Sequence, residues 1–162
     1  MSIGQSLIPE FTQEMATTRR LLERVPGEKG TWKPHPKSFS LGHLAQLVAR
    51  LPGWNTLVLK NTELDLSKAQ GYSYEKTETL LAEFDGHVKE AQAALAAAAD
   101  ADFDVPWSLK TGGRVLMTLP RGAVVRQNFN HLVHHRGQLT VYLRLLDVPL
   151  PSIYGPTADE GW

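Results

Sequence analysis

Apolar residues recur at three- and four-residue steps in four stretches of the chain, the spacing that lines one face of an α-helix. The first stripe runs Ile8, Phe11, Met15, Leu22 and Val25, with Thr18 in register, and Pro26-Gly27 stops it. Pro34 and Pro36 hold the following segment extended around His35. Ser40 is suited to cap a second helix, carrying Leu41, Leu44, Ala45, Val48 and Leu51 and continuing through Trp54, Leu57 and Val58. Pro52 lies inside that pattern, so a kink or short break is expected there. The stretch from Asn61 to Tyr72 reads as a loop. Ser73 is placed to cap a third helix bearing Leu80, Leu81, Phe84, Val88, Ala91, Leu95 and Ala98, which the pattern makes the longest.

Between Ala101 and Pro120 the period shortens. Trp107-Ser-Leu-Lys and Arg114-Val-Leu-Met-Thr-Leu119 flank Thr111-Gly-Gly, which predicts a short hairpin leaning on the helices. A fourth helix is expected from about Arg121 to Leu146, ending at Asp147-Val-Pro149 before a tail punctuated by Pro and Gly. The sum is an all-α fold, a four-helix bundle with a β-hairpin-like insertion before the last helix, in one domain spanning residues 1–162.

Composition narrows the chemistry. Lys+Arg and Asp+Glu number 17 each, so the formal charge is zero and no basic footprint for nucleic acid or an anionic membrane exists. With no cysteine, thiolate ligands and a cysteine nucleophile are excluded, which leaves His, Asp and Glu as metal-binding side chains. No basic, apolar leader opens the sequence and no long apolar run interrupts it, so a cytoplasmic protein is expected.

The fourth helix concentrates the polar chemistry. His131 and His135 are one turn apart and share a face, the spacing two imidazoles need to hold one ion. Asn128, Gln138 and Tyr142 extend this row, beside an apolar row of Val125, Leu132, Leu139, Leu143 and Leu146. A lone His-x-x-x-His also occurs as an ordinary hydrogen-bonded pair, and the Glu that follows the first His in zinc proteases is missing. His43, on the second helix, is the third imidazole of interest. His35 and His87 read as structural or solvent-facing, and His134 projects about a quarter-turn away from the pair. Gln138 and Tyr142 are candidate catalytic side chains, able to orient a substrate oxygen, and equally suited to plain hydrogen bonding. Arg136 is read either as an anion anchor or, preferentially, as the partner of a tail acid such as Asp159 or Glu160.

Several segments resemble the DinB (YfiT-like) family: Trp32-Lys-Pro-His-Pro-Lys-Ser38, Leu51-Pro-Gly-Trp54, Asn130-His-Leu-Val-His-His-Arg-Gly-Gln-Leu139, Tyr142-Leu-Arg-Leu-Leu-Asp-Val-Pro149 and Tyr154-Gly-Pro-Thr-Ala-Asp-Glu160. The resemblance implies an up-down-down-up bundle, commonly a homodimer, with nickel or zinc held by three histidines, one on helix two and two on helix four. The helix-four ligands fall on His131 and His135. The helix-two ligand falls on Leu47, where the family has His before an apolar-Ala pair and this chain has Leu47-Val48-Ala49. His43 stands one turn earlier, about 5.4 Å along the axis, against a metal–nitrogen bond of about 2 Å. Two function classes follow: a divalent-metal-dependent hydrolase or thiol-dependent S-transferase using His43, His131 and His135, or a non-catalytic dimeric helical module with a degenerate site. For the enzyme class the implied partner is a small-molecule substrate, with a thiol as the candidate.

Overall fold

A computed structural model describes residues 1–69, 71–72 and 76–161. Four helices dominate it: α1 (Ile3–Leu22), α2 (Leu41–Lys60), α3 (Thr77–Ala97) and α4 (Arg121–Leu145). Three strands, β1 (Glu63–Asp65), β2 (Pro106–Thr111) and β3 (Arg114–Pro120), form one small sheet. Helix α1 starts earlier than its apolar stripe, because Ser2 and Gln5 close a capping box and satisfy two amides at its first turn. Ser40 caps α2 as expected, its hydroxyl accepting from the His43 amide at 3.2 Å. That helix runs unbroken across Pro52. The expected cap at Ser73 lies outside the described residues. Lys76 occupies the N-cap of α3, and α4, at 25 residues against 21 for α3, is the longest helix.

Pairwise contacts give the helix directions. Ile3 donates its amide to the Asp100 carboxylate just past the end of α3, while Arg19 pairs with Asp85 near the start of α3, so these two helices run antiparallel. Arg50 meets Glu83 and Gly53 packs on His87, so α2 and α3 run parallel. Helix α4 is antiparallel to α2, with Asn128 opposite Asn55 and Tyr142 reaching the Phe39 carbonyl. It is parallel to α1, with Phe129 on Phe11 and Arg136 on Glu14 and Thr18. Gly53 is required by packing: a Cβ there would lie 2.6 Å from the His87 ring. The shared interior includes Phe11, Leu22, Leu44, Leu51, Phe84, Leu95, Trp107, Leu132, Leu139 and Leu143, all buried.

The sheet departs from the expected hairpin by one strand. Glu63-Leu64-Asp65, read from the sequence as loop, pairs in parallel with Ser108-Leu109-Lys110 on the outer edge of β2, giving the order β1-β2-β3. Three residues with one apolar side chain carry too little pattern to announce a strand, and the pairing partner lies more than forty positions away. The β2–β3 turn sits on Gly112 and Gly113, with φ of 54° and 82°, a conformation that glycine adopts without steric cost. Asp65 locks this turn from the neighbouring strand by accepting both glycine amides, at 3.0 and 3.2 Å. Bonds to Ser67 and these amides hold its carboxyl down at about 2. One face of the hairpin, Trp107, Leu109, Met117 and Leu119, packs onto the helices, as the period of two requires.

Candidate functional site

The polar row of α4 survives as geometry. His131 and His135 turn their Nε2 atoms toward each other at 2.9 Å, and the His135 Nδ1 lies 2.7 Å from Gln138 Oε1. The amide oxygen can only accept, so His135 carries its proton on Nδ1 and presents an Nε2 lone pair, to which His131 donates Nε2–H. Both rings are half-buried, and burial is the main cause that lowers both pKa values below the ordinary 6.5; His135 and His134 lower His131 further, while on His135 the bond to Gln138 opposes the shift and His134 adds to it. At neutral pH the two are therefore uncharged nitrogen bases. Trp54 of α2 covers the His131 ring edge-on, with centroids 5.8 Å apart.

Helix two supplies a less even partner. Leu47 and Trp54 are seven residues apart and so share a face, and His43, eleven from Trp54, falls within about 20° of that face. The antiparallel register that sets Asn55 against Asn128 and Phe39 against Tyr142 brings Leu47 to the level of His135. Leu47 is buried and offers no donor. His43 is stacked between Phe39 and Tyr72, with centroids 4.2 Å from each. Its pKa is lowered by burial first, then by the charges of Lys33 and His135, which marks the His135 ring as a neighbour. Among the described residues no three His, Asp or Glu side chains converge on one point, so His43, His131 and His135 do not form a closed three-ligand cluster.

Whether a metal suits these side chains can be judged from the donor set. Two nitrogens bound to one ion at about 2.0–2.1 Å stand roughly 2.9–3.4 Å apart for angles between 90° and tetrahedral. The observed 2.9 Å between the Nε2 atoms lies at the edge of that range, and an oxygen acceptor on the far nitrogen, here Gln138 Oε1, is the general device that fixes the tautomer of a ligating His. The pair therefore fits two imidazole positions, and the third has Leu47 at its level.

The other residues singled out from the sequence fall in different places. Gln138 is exposed and engaged on His135, whereas Tyr142 donates its hydroxyl to the Phe39 carbonyl at 3.3 Å and packs edge-on against Trp32. His134 is exposed, and His35 is exposed in its loop. His87 packs beneath Gly53 at the α2–α3 contact. Arg136 does not meet the tail acids. Asp159 pairs with Arg144 and Glu160 with Arg20, whereas Arg136 turns to α1, where it pairs with Glu14 at 2.6 Å. Its other donors reach Thr18 Oγ1 at 3.1 Å and the Tyr154 hydroxyl at 2.8 Å. Tyr154 in turn donates its hydroxyl to the Glu14 carboxylate at 2.9 Å, which pins the C-terminal tail to α1 and α4.

Two clefts meet at Trp54. One, of about 360 Å³, lies between α2 and α3 and holds the Arg50–Glu83 ion pair, His87 and Glu90 among Leu57, Leu64 and Tyr72. The other, of about 410 Å³, lies between the hairpin and the first half of α4 and reaches His131 and His134. Sequence reasoning did not find this second cleft, because its apolar wall comes from Trp107, Leu109 and Met117 across a turn. The Trp107 indole N–H finds no acceptor among the described residues, a buried orphan of the kind that costs about 1–3 kcal/mol.

Comparison with known proteins now decides the lineage, since the DinB family model matches residues 1–161. The chain belongs to the DinB family. Among solved structures, a DinB-like protein of Bacillus subtilis, YjoA, superposes with a TM-score of 0.72 at 19% identity, covering 91% of this chain and 97% of that one. A DinB-like protein of Bacillus cereus ATCC 10987 gives 0.72 at 19% identity, covering 94% and 98%. At these identities the likeness is one of fold. In sequence, the uncharacterized protein YrdA of Bacillus subtilis (strain 168) is 40% identical over 42 residues, 26% of this chain and 25% of its own length. This DinB-family chain thus spans a quarter of that curated relative in the match. None of its described helices is long and apolar enough to cross a membrane.

Proposed function

We propose that this DinB-family protein is a divalent-metal-dependent enzyme, of the hydrolase or thiol S-transferase kind, whose ion is nickel or zinc on His131 and His135. The observation that carries the reading is the facing of two neutral Nε2 atoms at 2.9 Å with Gln138 holding the tautomer of one of them. A divalent ion there supplies Lewis-acid polarisation of a substrate heteroatom. The chain's own part is distinct. Gln138 keeps the His135 proton on Nδ1, burial keeps both rings uncharged, and Trp54 shields the His131 edge from water. For His131 to offer Nε2 as well, its proton moves to Nδ1, a tautomer change that costs little for a neutral imidazole. His43 is the third imidazole available from α2 and joins only by leaving its stack between Phe39 and Tyr72. The helix directions described above support the up-down-down-up order. Val141 and Leu145, exposed one turn apart on the outer face of α4, support a homodimer contact there.

Leu47 favours a second reading, a non-catalytic dimeric module that keeps the scaffold with an incomplete site. Calorimetric titration of the untagged protein with Ni²⁺ and Zn²⁺ separates the two. One ion per chain, lost in His131→Ala and weakened in His43→Ala, supports the enzyme. No saturable binding by the wild type overturns it.

A further inference from the structure

The cleft beside His131 has two walls of different character and no carboxylate, ammonium or guanidinium among its described lining residues. Trp54, Trp107, Leu109, Met117 and Val124 make it apolar on the hairpin and α2 sides. Along α4 it is lined by Gln127, Asn128, Asn130, His131 and His134, side chains that hydrogen-bond without a fixed charge, and no Asp, Glu, Lys or Arg lines it among the described residues. Its volume of about 410 Å³ falls in the range of small-molecule sites, which run to roughly 300–1,000 Å³.

An ion entering such a space loses its water and meets no opposite charge, whereas a neutral group with one or two hydrogen-bonding atoms is satisfied by the amide wall. The contrast with the neighbouring cleft is built into the same tryptophan. On the α3 side of Trp54 stand Arg50, Glu83 and Glu90, which serve charged groups, and on the α4 side there are none.

We infer that this cleft binds an uncharged, ring-bearing small molecule carrying an amide, ester or alcohol, its apolar body against Trp107 and Met117 and its polar end at Asn128 and His131. The inference rests on the His131–His135 pair as the reacting centre and gives it a substrate class: neutral ring-bearing amides, esters or alcohols, not amino acids, phosphates or organic ions.

An indole series of different charge tests it: indole-3-acetamide, indole-3-acetate and tryptamine, titrated by calorimetry against the metal-free protein, with His131 followed by NMR. The neutral amide is expected to bind at least ten-fold more tightly than either ion and to shift the His131 resonances. Met117→Trp, which fills the cleft, abolishes this binding. Gln127→Glu, a surface change that adds a negative charge to the wall, reverses the preference toward tryptamine, and it keeps the test decisive if the larger residue at 117 disturbs folding. Equal binding of the three probes, tighter binding of an ion, absence of amide binding at millimolar concentration, or indifference to both variants each overturns the inference. Because these titrations omit metal, a negative result here with normal Ni²⁺ binding removes the substrate class alone. The opposite pattern removes the metal reading and leaves the cleft.

Discussion

His135 and Arg136 are neighbours in the chain and occupy opposite chemical situations. A step of one residue on a helix turns the side chain by about 100°, so His135 faces the α2 side while Arg136 faces α1. Arg136 is 1% exposed and its guanidinium is answered by Glu14, Thr18, the Glu14 carbonyl and Tyr154. The Tyr154 ring also lies under the guanidinium, 5.2 Å from centroid to carbon, and burial followed by the bond to Glu14 raises its hydroxyl pKa. This is a buried network, in which both terminal nitrogens of the guanidinium are held by protein oxygens. The histidine pair is open. It is half-buried, uncharged, and its two reactive nitrogens are bonded only to each other. Complete satisfaction marks a group that holds the fold, and residual valence at a cleft marks one that can do chemistry.

The largest test of this contrast is Arg136→Met. Removing the guanidinium strands the Glu14 carboxylate and frees the tail at Tyr154, and breaking a buried ion pair on one side costs about 3–5 kcal/mol. Urea denaturation should show that loss, with Ni²⁺ affinity of the remaining folded protein unchanged. A loss under about 1 kcal/mol would mean the network is decorative and the contrast false. On the open side, Gln138→Leu should leave the denaturation midpoint in place and weaken Ni²⁺ binding by roughly ten- to a hundred-fold, the usual effect of removing the partner of a ligating His. Unchanged affinity would show that the tautomer is set elsewhere.

The smallest effect is in pH. Burial depresses the pKa values of His131 and His135 below 6.5, so folding favours their neutral forms. Their contribution to stability is complete above that ordinary value and is lost as pH falls through the folded values. Wild type should therefore lose more stability between pH 7 and pH 5 than the double variant His131→Ala/His135→Ala. Parallel curves would place the pair in bulk-like solvent.

Much of the bundle was legible because it rests on local periodicity. Val125, Leu132, Leu139 and Leu143 fell on the buried row they were assigned, and the Gly-Gly turn announced the hairpin through a conformation that few other residues adopt. Less legible were the elements whose reason lies far along the chain. Strand β1 exists because β2 has a free edge beside it, and Asp65 is ordered by a turn forty-seven residues away. The tail acids look like natural partners for Arg136, yet Arg144 and Arg20 take them while Glu14, 122 positions from Arg136, claims the buried cation.

The sequence by itself determined four amphipathic helices, the hairpin, and the placing of His131 and His135 on one face, since each follows from spacing within a few turns of the backbone. The tertiary structure alone decided which polar groups are closed and which are open: that His43 stacks between Phe39 and Tyr72, that Leu47 stands level with His135, and that a cleft without Asp, Glu, Lys or Arg among its described lining residues reaches His131. Those outcomes depend on how separate elements register against one another, and burial, desolvation and hydrogen-bond satisfaction have no value until that packing is set.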